Sequence, residues 1–386
     1  MLGRTNAMFV SMEEAAPIQL IQEMILTVST ADIWKIEYVN GKYFAFLDDE
    51  KVLYGEDVGN LAILKNGDGP LLASHVIYAD GKYYFGRAAE GDTNSKYAAV
   101  QASRDLSSFQ EINIREGHGI AGLYQSTAGK IVLLIYYSSS SSGNFKRLAM
   151  LVADTLEGYQ EEGQNFISIG VSSYFSPDQG YFKRSRLIKD RVVMTERTGT
   201  STTSDTVLIS LDGNRVVAGS KYTAFAYGYF YSNVSMSNSA GRLYYSVNGV
   251  DYSILKNTED RGGAKILEFS DGITGIFFTK DGRRVFAAAE NPAKLAAAMD
   301  SEAVEVSVMG SILTGTENGG YTYIGCTGGV ILKTHIDYSG SSNIPEVSTL
   351  KTLSAKQALK QAQKYADEKY ALLEARIAAL EAGSGN

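Results

Sequence analysis

The sequence predicts an all-β protein of the β-propeller class, and three observations lead to this prediction. The 386 residues include 25 Tyr, 15 Phe and 39 Gly but only five Pro, and aromatic residues favour strands whereas Gly permits tight turns. A short motif of turn and strand recurs along the chain, and a second polar turn recurs between its copies. Units of four strands at a spacing of about 40 to 60 residues are typical of propeller blades.

The first motif is a small or polar residue, a glycine and a basic residue, followed by a strand. It reads NGKYFAF from Asn40, DGKYYFG from Asp80, AGKIVLL from Ala128 and DGRRVFA from Asp281. Asn-Gly and Asp-Gly between alternating apolar residues are strong hairpin signals. We interpret the four copies as the same hairpin in successive units of an array.

The second motif is a polar turn that precedes an aromatic residue. Its members are Ser103, Asp105 and Phe109, then Ser246, Asn248 and Tyr252, and in part Ser210, Leu211, Asp212 and Gly213. The motif resembles a degenerate Asp-box, the S-x-D-x-G-x-x-W hairpin of sialidase-like propellers. We expect the Ser and Asp side chains to bond to N–H groups of the turn and the aromatic ring to pack between sheets. The expected role is structural.

We expect seven blades, with six as the alternative. The candidate units are 33–74, 75–118, 121–165, 185–220, 222–258, 273–308 and 311–336. The propeller is predicted to span 33–345. The preceding segment, 1–32, is predicted to supply a strand that closes the last blade, which would remove two exposed sheet edges.

The composition changes after Pro345, and 346–386 is predicted to be an oligomerisation helix. Good helix formers dominate this segment, and its apolar residues follow a heptad. The predicted oligomerisation positions are Leu359, Gln363, Ala366, Tyr370, Leu373, Ile377 and Leu380. We interpret them as the seam of a self-associating coiled coil; a single helix packed on the propeller is the alternative.

Composition and charge argue against several classes of function. The formal net charge is −7, and no basic stripe with interleaved aromatics is present, so nucleic acid is not an expected partner. Cys326 is the single cysteine, so no intrachain disulfide is expected. No segment reaches the roughly 18 apolar residues of a membrane span, so no membrane insertion is expected. Without an apolar signal region, the protein is expected to be made in the cytoplasm.

The search for catalytic and metal-binding motifs gives no candidate. His75, His118 and His335 have no metal-ligand spacing, and His75 is interpreted as a surface or edge residue. The cations Lys183, Arg184 and Arg186 are interpreted as a solvated turn. No P-loop, G-x-S-x-G elbow or EF-hand pattern is present. We therefore predict no catalytic residue, no metal and no cofactor.

Glycoside hydrolysis is the enzymatic alternative, because propellers can hold a pair of carboxylates at their centre. The Arg-Ile-Pro motif of sialidases is absent, however, and no arginine cluster stands out. Glu37, Arg87, Glu196 and Arg197 are isolated candidates, and a solvated or cross-strand charge is the simpler interpretation of each.

An aromatic run, FAYGYFY, places Phe225, Tyr227, Tyr229 and Tyr231 at alternate positions. On one strand these rings would share one face. An exposed ladder of this kind would suit a glycan groove, but a buried layer between blades is the preferred interpretation. The ligand-binding residues therefore stay unassigned at this point.

The order of elements resembles that of tail-fibre or baseplate-associated proteins of bacteriophages and prophages. The similarity lies in the opening GRTNAMFVS, in the NGKYFAF and DGKYYFG hairpins, and in the terminal helix KYADEKYALLEARIAALEA. It implies a structural or adhesive component of the virion without enzymatic activity. A purely architectural decoration protein and a glycan-acting propeller enzyme are the alternatives.

The resemblance also implies partners. It favours a homotrimer formed through the terminal helix, although the heptad equally permits a dimer. Other virion proteins and a host-surface glycan are the implied binding partners, and several linked copies would convert weak sugar contacts into avidity.

Overall fold

Seven four-stranded antiparallel sheets and one short hairpin make up the described part of the computed structural model. The sheets are the blades of a β-propeller, so the predicted fold class and the preferred count of seven are confirmed. The structure describes residues 19–87, 97–116, 118–138, 146–156, 166–169, 185–197, 204–218, 224–235, 241–259, 264–306 and 310–337. The predicted oligomerisation positions, from Leu359 to Leu380, lie outside these residues.

The first strand of each blade lines the central channel and the fourth lies at the outside. Strand β1 (Gln19–Thr27) precedes blade 1, which consists of β2 (Ile33–Val39), β3 (Lys42–Leu47), β4 (Val52–Gly55) and β5 (Ala62–Ile63). The hairpin of β6 (Lys65–Asn66) and β7 (Gly69–Pro70) leads to blade 2, with β8 (His75–Ala79), β9 (Lys82–Gly86), β10 (Tyr97–Ser103) and β11 (Gln110–Glu116). Blade 3 consists of β12 (His118–Gln125), β13 (Ile131–Ser138), β14 (Lys146–Ala153) and β15 (Ile167–Ile169).

Blades 4 to 7 follow the same order. Blade 4 consists of β16 (Arg186–Ile188), β17 (Arg191–Arg197), β18 (Ser204–Ser210) and β19 (Arg215–Val217), and blade 5 of β20 (Ala224–Ala226), β21 (Tyr229–Ser235), β22 (Gly241–Ser246) and β23 (Ser253–Thr258). Blade 6 consists of β24 (Lys265–Phe269), β25 (Ile273–Lys280), β26 (Arg283–Ala289) and β27 (Val304–Glu305), with helix α1 (Pro292–Ser301) before β27. Blade 7 begins with β28 (Ile312–Asn318), β29 (Tyr321–Cys326) and β30 (Val330–Asp337).

The seventh blade takes its outer strand from the other end of the propeller sequence. Strand β1 pairs beside β30 in the sheet that β28 and β29 begin. The N–H of Val28 donates to the carbonyl of Gly329 at 3.0 Å, and the N–H of Gly328 donates to the Asp32 carboxylate at 2.7 Å. Strands separated by the whole propeller therefore join in one sheet, which closes the ring.

Two-residue turns join the first and second strands in five blades. Both residues of each turn have a positive φ angle, as the pairs Asn40-Gly41, Asp80-Gly81, Lys189-Asp190, Tyr227-Gly228 and Gly319-Gly320 show. This geometry matches the right-handed twist of the flanking strands. Because each of these turns follows the first strand of its blade, all five lie at the same end of the channel.

Two sequence interpretations of these turns are wrong. The Asp281-Gly282 turn joins β25 to β26, the second and third strands of blade 6, so it is not equivalent to the Asn40 and Asp80 turns. The turn that joins the first strand, β24, to β25 is the 3₁₀ turn Ser270–Gly272, whose Asp271-Gly272 pair has positive φ at both residues. The run FAYGYFY does not form one strand either, because Tyr227 and Gly228 make the turn between β20 and β21.

The polar turns between the third and fourth strands have the expected hydrogen bonds. In blade 2, Oγ of Ser103 accepts from the N–H of Leu106 at 2.9 Å, and Oδ1 of Asp105 accepts from the N–H of Ser107 at 2.9 Å. In blade 5, Asn248 stands in the Asp105 position and accepts from two N–H groups at 2.9 Å. These turns are structural because the polar side chains satisfy the backbone locally.

Apolar layers between neighbouring blades form the core. Phe44 and Phe85, both fully buried, meet edge to face between blades 1 and 2 with ring centroids 5.7 Å apart. Phe109 extends this layer at 5.9 Å from Phe85. Helix α1 covers the boundary of blades 5 and 6 with Leu295 and its apolar neighbours. The ring is thus held together by side chains that pack between the faces of neighbouring sheets. The inner strands can therefore present polar groups to the channel.

Candidate functional site

A cavity of about 700 Å³ opens in the central channel at the end where the two-residue turns lie. Every blade contributes to its wall, and the size is within the usual range of small-ligand sites. The charged and tyrosine side chains of the wall are the cations Lys35 and Arg186, the carboxylates Glu37, Glu268 and Glu317, and the tyrosines Tyr38, Tyr78, Tyr124 and Tyr227.

Lys35 and Glu37 lie on β2 and form an ion pair, with Nζ 2.8 Å from Oε1. Residues two apart on a strand share a face, and a register irregularity between Ile33 and Lys35 changes the direction of this strand just before the pair. Lys35 is only 5% exposed. Burial lowers the pKa of Lys35 below its usual value; Glu37 opposes this effect, and the nearby Arg186 guanidinium adds to it.

His75 is fully buried beside this pair, so its interpretation as a surface or edge residue is wrong. Nδ1 lies 2.9 Å from Oγ of Ser74, and the ring meets Tyr124 edge to face at 5.6 Å. Burial lowers the pKa of His75 well below its usual value, and the charge of Lys35 lowers it further. Nε2 has no hydrogen-bond partner within the described residues.

Tyr124 connects blade 3 to blade 4 next to His75. Its hydroxyl donates to Oγ of Ser185 at 2.5 Å, and Ser185 donates to the carbonyl of Ala121 at 3.2 Å. Burial raises the pKa of Tyr124 above its usual value. A side chain at position 122 would collide with the Tyr124 ring, which explains why glycine occupies it. We call Lys35, Glu37, His75, Tyr124 and Arg186 the channel floor.

Two carboxylates are held at the level of the turns. Oε1 of Glu268 accepts a hydrogen bond of 3.0 Å from the N–H of Tyr227, and Oε1 of Glu317 accepts one of 3.2 Å from the N–H of Gly320. The hydroxyl of Tyr227 donates to the carbonyl of Phe269. Glu268, Glu317 and Tyr227 therefore form an acidic, aromatic rim, which we call the channel mouth.

Arg186 lies in the channel wall. Its interpretation from sequence as part of a solvated turn is therefore wrong. Arg186 stands on β16 with its side chain exposed to the cavity. Unlike that of Lys35, the side chain of Arg186 forms no ion pair or hydrogen bond with any residue that the structure describes. Lys183 and Arg184 lie outside the described residues.

Two other sequence candidates, Arg87 and His335, lie away from the cavity. Arg87 pairs with Glu50 at 2.7 Å, and His335 lies 3.3 Å from Glu23 on the outside of blade 7. The structure describes no side chain for His118, Glu196 or Arg197. Among the isolated candidates whose side chains the structure describes, Glu37 lines the cavity and Arg87 does not.

The described residues contain neither a metal-binding cluster nor a membrane-spanning helix. Among the described residues, no group of three His, Cys, Asp or Glu side chains is placed to hold a metal ion. Within the same part of the chain, no helix has the length and apolarity that a membrane span requires.

Comparisons with known proteins assign no family to the chain. No protein-family model matches the chain, and no curated protein sequence matches it either. Similar solved structures include a catalytically inactive virginiamycin B lyase from Staphylococcus aureus with quinupristin, which is 12% identical and aligns over 82% of this chain and 99% of the lyase with a TM-score of 0.47.

Two other propellers have comparable values. The WD40 β-propeller domain of Doa1 is 12% identical over 84% of this chain and 100% of that domain, with a TM-score of 0.46. BamB from Moraxella catarrhalis is 9% identical over 82% of this chain and 98% of BamB, with a TM-score of 0.44. These proteins have different functions, so the likeness assigns none to this chain.

Proposed function

We propose that the protein is a non-enzymatic binding protein whose propeller takes a glycan into its channel mouth. The observation that carries this proposal is the joint lining of one cavity by four tyrosines and three carboxylates. Tyrosine rings offer apolar faces for sugar rings together with a hydroxyl. Carboxylates accept hydrogen bonds from sugar hydroxyl groups.

The contacts of the three carboxylates support binding over hydrolysis. Glu37 is paired with Lys35, and Glu268 and Glu317 each accept from a backbone N–H of a turn. A glycosidase needs one carboxyl group that holds a proton for the leaving oxygen. Here a donor of the protein already holds one oxygen of each carboxylate in place, which suits a fixed acceptor for ligand hydroxyl groups.

The finer proposal places this propeller on the surface of a phage-type particle, as a trimer that presents several channel mouths to a host surface. It rests on the resemblance to phage tail proteins described above. Linked mouths would give avidity to weak individual sites. A virion decoration protein without a ligand is the alternative within the same class, and a mouth that is covered on the particle would favour it.

The test is a glycan array with the full-length protein, followed by titration calorimetry with the strongest ligand. Tyr38 is 41% exposed in the channel, so Tyr38→Ala is expected to weaken binding about tenfold through lost ring contact. Tyr244→Ala, a half-buried tyrosine outside the cavity, serves as the matched control and should bind as the wild type does. Absence of binding to every glycan would overturn the proposal.

The enzymatic alternative is tested in the same samples, since three carboxylates in one cavity are the observation that favours it. Bound oligosaccharides are incubated with wild type and with Glu37→Gln, and released reducing ends are measured. Release by the wild type that the variant lacks would replace the binding proposal with glycoside hydrolysis.

A further inference from the structure

The channel floor has more positive than negative charge. Lys35 and Glu37 neutralise each other at 2.8 Å, whereas Arg186 has no partner within the described residues. Arg186 is near enough to Lys35 for the two cations to influence each other. A guanidinium on a cavity wall without a counter-ion is suited to a planar anion, which it can bind through two parallel hydrogen bonds.

The channel mouth has the opposite charge. The carboxylates of Glu268 and Glu317 are fixed at the turns by backbone N–H groups. A ligand with several negative charges would be repelled as it passes this rim. A ligand with a single negative charge among many hydroxyl groups would reach Arg186 and donate hydrogen bonds to the rim.

One further acceptor belongs to the channel floor. Oε2 of Glu37 is buried and has no hydrogen-bond partner among the described residues. A buried acceptor without a donor costs free energy. The Glu37 side chain is 30% exposed, so a rotation of its carboxylate towards the cavity would let a hydroxyl group of a bound ligand supply the donor. The wall thus has one position for an anion and several for hydroxyl groups.

We infer that the ligand of this channel carries an acidic sugar, whose carboxylate pairs with Arg186 while its hydroxyl groups donate to Glu37, Glu268 and Glu317. A carboxylate has one charge, which matches the one cation without a partner among the described residues of the wall, whereas a phosphate monoester has nearly two. The inference rests on the proposed function, because it names the class of glycan that the proposed site takes.

The experiment compares sugars that differ in one group. Titration calorimetry with the full-length protein uses sialyllactose beside lactose, and galacturonic acid beside galactose, so that each acidic member carries one negative charge. The wild type is expected to bind each acidic member at least about tenfold more tightly. This preference should fall as salt is raised from about 50 to 500 mM.

Variants identify the cation. Arg186→Gln should remove the preference and leave the affinity for the neutral sugars unchanged, and Arg186→Lys should restore part of it. Arg191→Gln is the matched control, since Arg191 is an exposed arginine on the neighbouring strand outside the cavity wall, and it should retain the full preference.

The outcomes separate this inference from the proposed function. Equal binding of acidic and neutral sugars overturns the acidic-sugar inference and leaves glycan binding intact. An acid preference that survives in Arg186→Gln overturns the assignment of Arg186. Galactose 6-sulfate or glucose 6-phosphate binding as tightly as the carboxylates would overturn carboxylate selection, and no binding of any sugar would overturn both proposals.

Discussion

The backbone N–H of Tyr227 in blade 5 donates a 3.0 Å hydrogen bond to the carboxylate of Glu268 in blade 6. Tyr227 has a left-handed conformation with φ of 41°, which is unfavourable for a bulky side chain. The hydroxyl of the same residue donates to Phe269. Two hydrogen bonds across a blade boundary thus stabilise a strained turn, and they fix the wall of the channel mouth.

Replacement of Glu268 by alanine should therefore lower the free energy of unfolding by about 1 to 2 kcal/mol, because the Tyr227 N–H loses its acceptor. Glu268→Gln should lose less, since the amide oxygen can still accept. Urea unfolding followed by circular dichroism measures both. Glu259→Ala is the exposed control and should stay within about 0.5 kcal/mol of wild type. Equal losses for alanine and glutamine would show that the hydrogen bond is not the cause.

Ring closure predicts different costs at two glycines with the same backbone conformation. Gly329 has φ of 70°, and a Cβ there would collide with the backbone of Ser29. Gly41 has φ of 80° with open space around it. Gly41→Ala should cost about 1 kcal/mol from conformation alone, whereas Gly329→Ala should cost about 3 kcal/mol or more. Similar unfolding midpoints for the two variants would contradict the close approach of β1 to blade 7.

The two polar turns predict a difference in pH dependence. Hydrogen bonds from the backbone of Ser107 and its neighbours lower the pKa of Asp105 from 3.8 to about 2. A carboxyl whose pKa is lower in the folded state stabilises the fold above its unfolded pKa, and this stabilisation is lost as pH falls from 3.8 towards 2. The defect of Asp105→Ala in thermal unfolding should therefore shrink between pH 5 and 2.5.

Asn248 is the matched control, because it makes the same turn contacts in blade 5 without a titratable group. The defect of Asn248→Ala should stay constant over this pH range. Parallel pH dependence of the two defects would mean that acid acts elsewhere in the propeller.

His75 predicts a second pH effect in a separate range. Burial lowers its pKa, with a further contribution from Lys35, so below about pH 6.5 the unfolded chain takes up a proton that the folded protein does not. The free energy of unfolding should therefore decrease as pH falls from 6.5 to 5, by up to about 1.4 kcal/mol per pH unit. His75→Phe should remove this slope, whereas His335→Phe should keep it. A slope that persists in His75→Phe would contradict the assignment.

The predicted coiled coil is tested by mass. Leu373→Asp with Ile377→Asp places two charges on the heptad seam and should convert the oligomer into a monomer with an unchanged β spectrum. Ala375→Asp with Ala382→Asp places the same charges on the outer face of the same helix and should leave the oligomer intact. Light scattering measures both, and a wild type that is already a monomer would remove the basis of the trimer proposal.

The turns made the propeller predictable from sequence. Asn40-Gly41 and Asp80-Gly81 are rare pairs that satisfy a strict requirement for positive φ, so they locate strands directly. The same signal misplaced blade 6, because Asp281-Gly282 meets that requirement between different strands. A turn dipeptide specifies a hairpin but not the position of that hairpin within a blade.

The channel was not predictable in the same way. Arg186, Glu268 and Glu317 meet in one cavity although no pattern in sequence connects them. Each is a charged residue within three positions of the turn that follows a first strand, and the chain offers many similar charges on outer strands. The sequence signal that could have located these residues is their distance from the turn that follows the first strand of a blade, because polar residues near that turn line the channel. Recognising it requires knowing which strand of each blade comes first.

Ring closure also affects how the chain folds as it is made. The hydrogen bond from Gly328 to Asp32 joins residues 296 positions apart, and at ribosomal speeds of about 5 to 20 residues per second the early strand waits roughly 15 to 60 s for its partner. During this time β1 offers unpaired edges to any neighbouring nascent chain. When copies are made close together, exchange of β1 between them is therefore the expected route of misassembly. In such a pair, the β1 strand of one chain would complete blade 7 of the other.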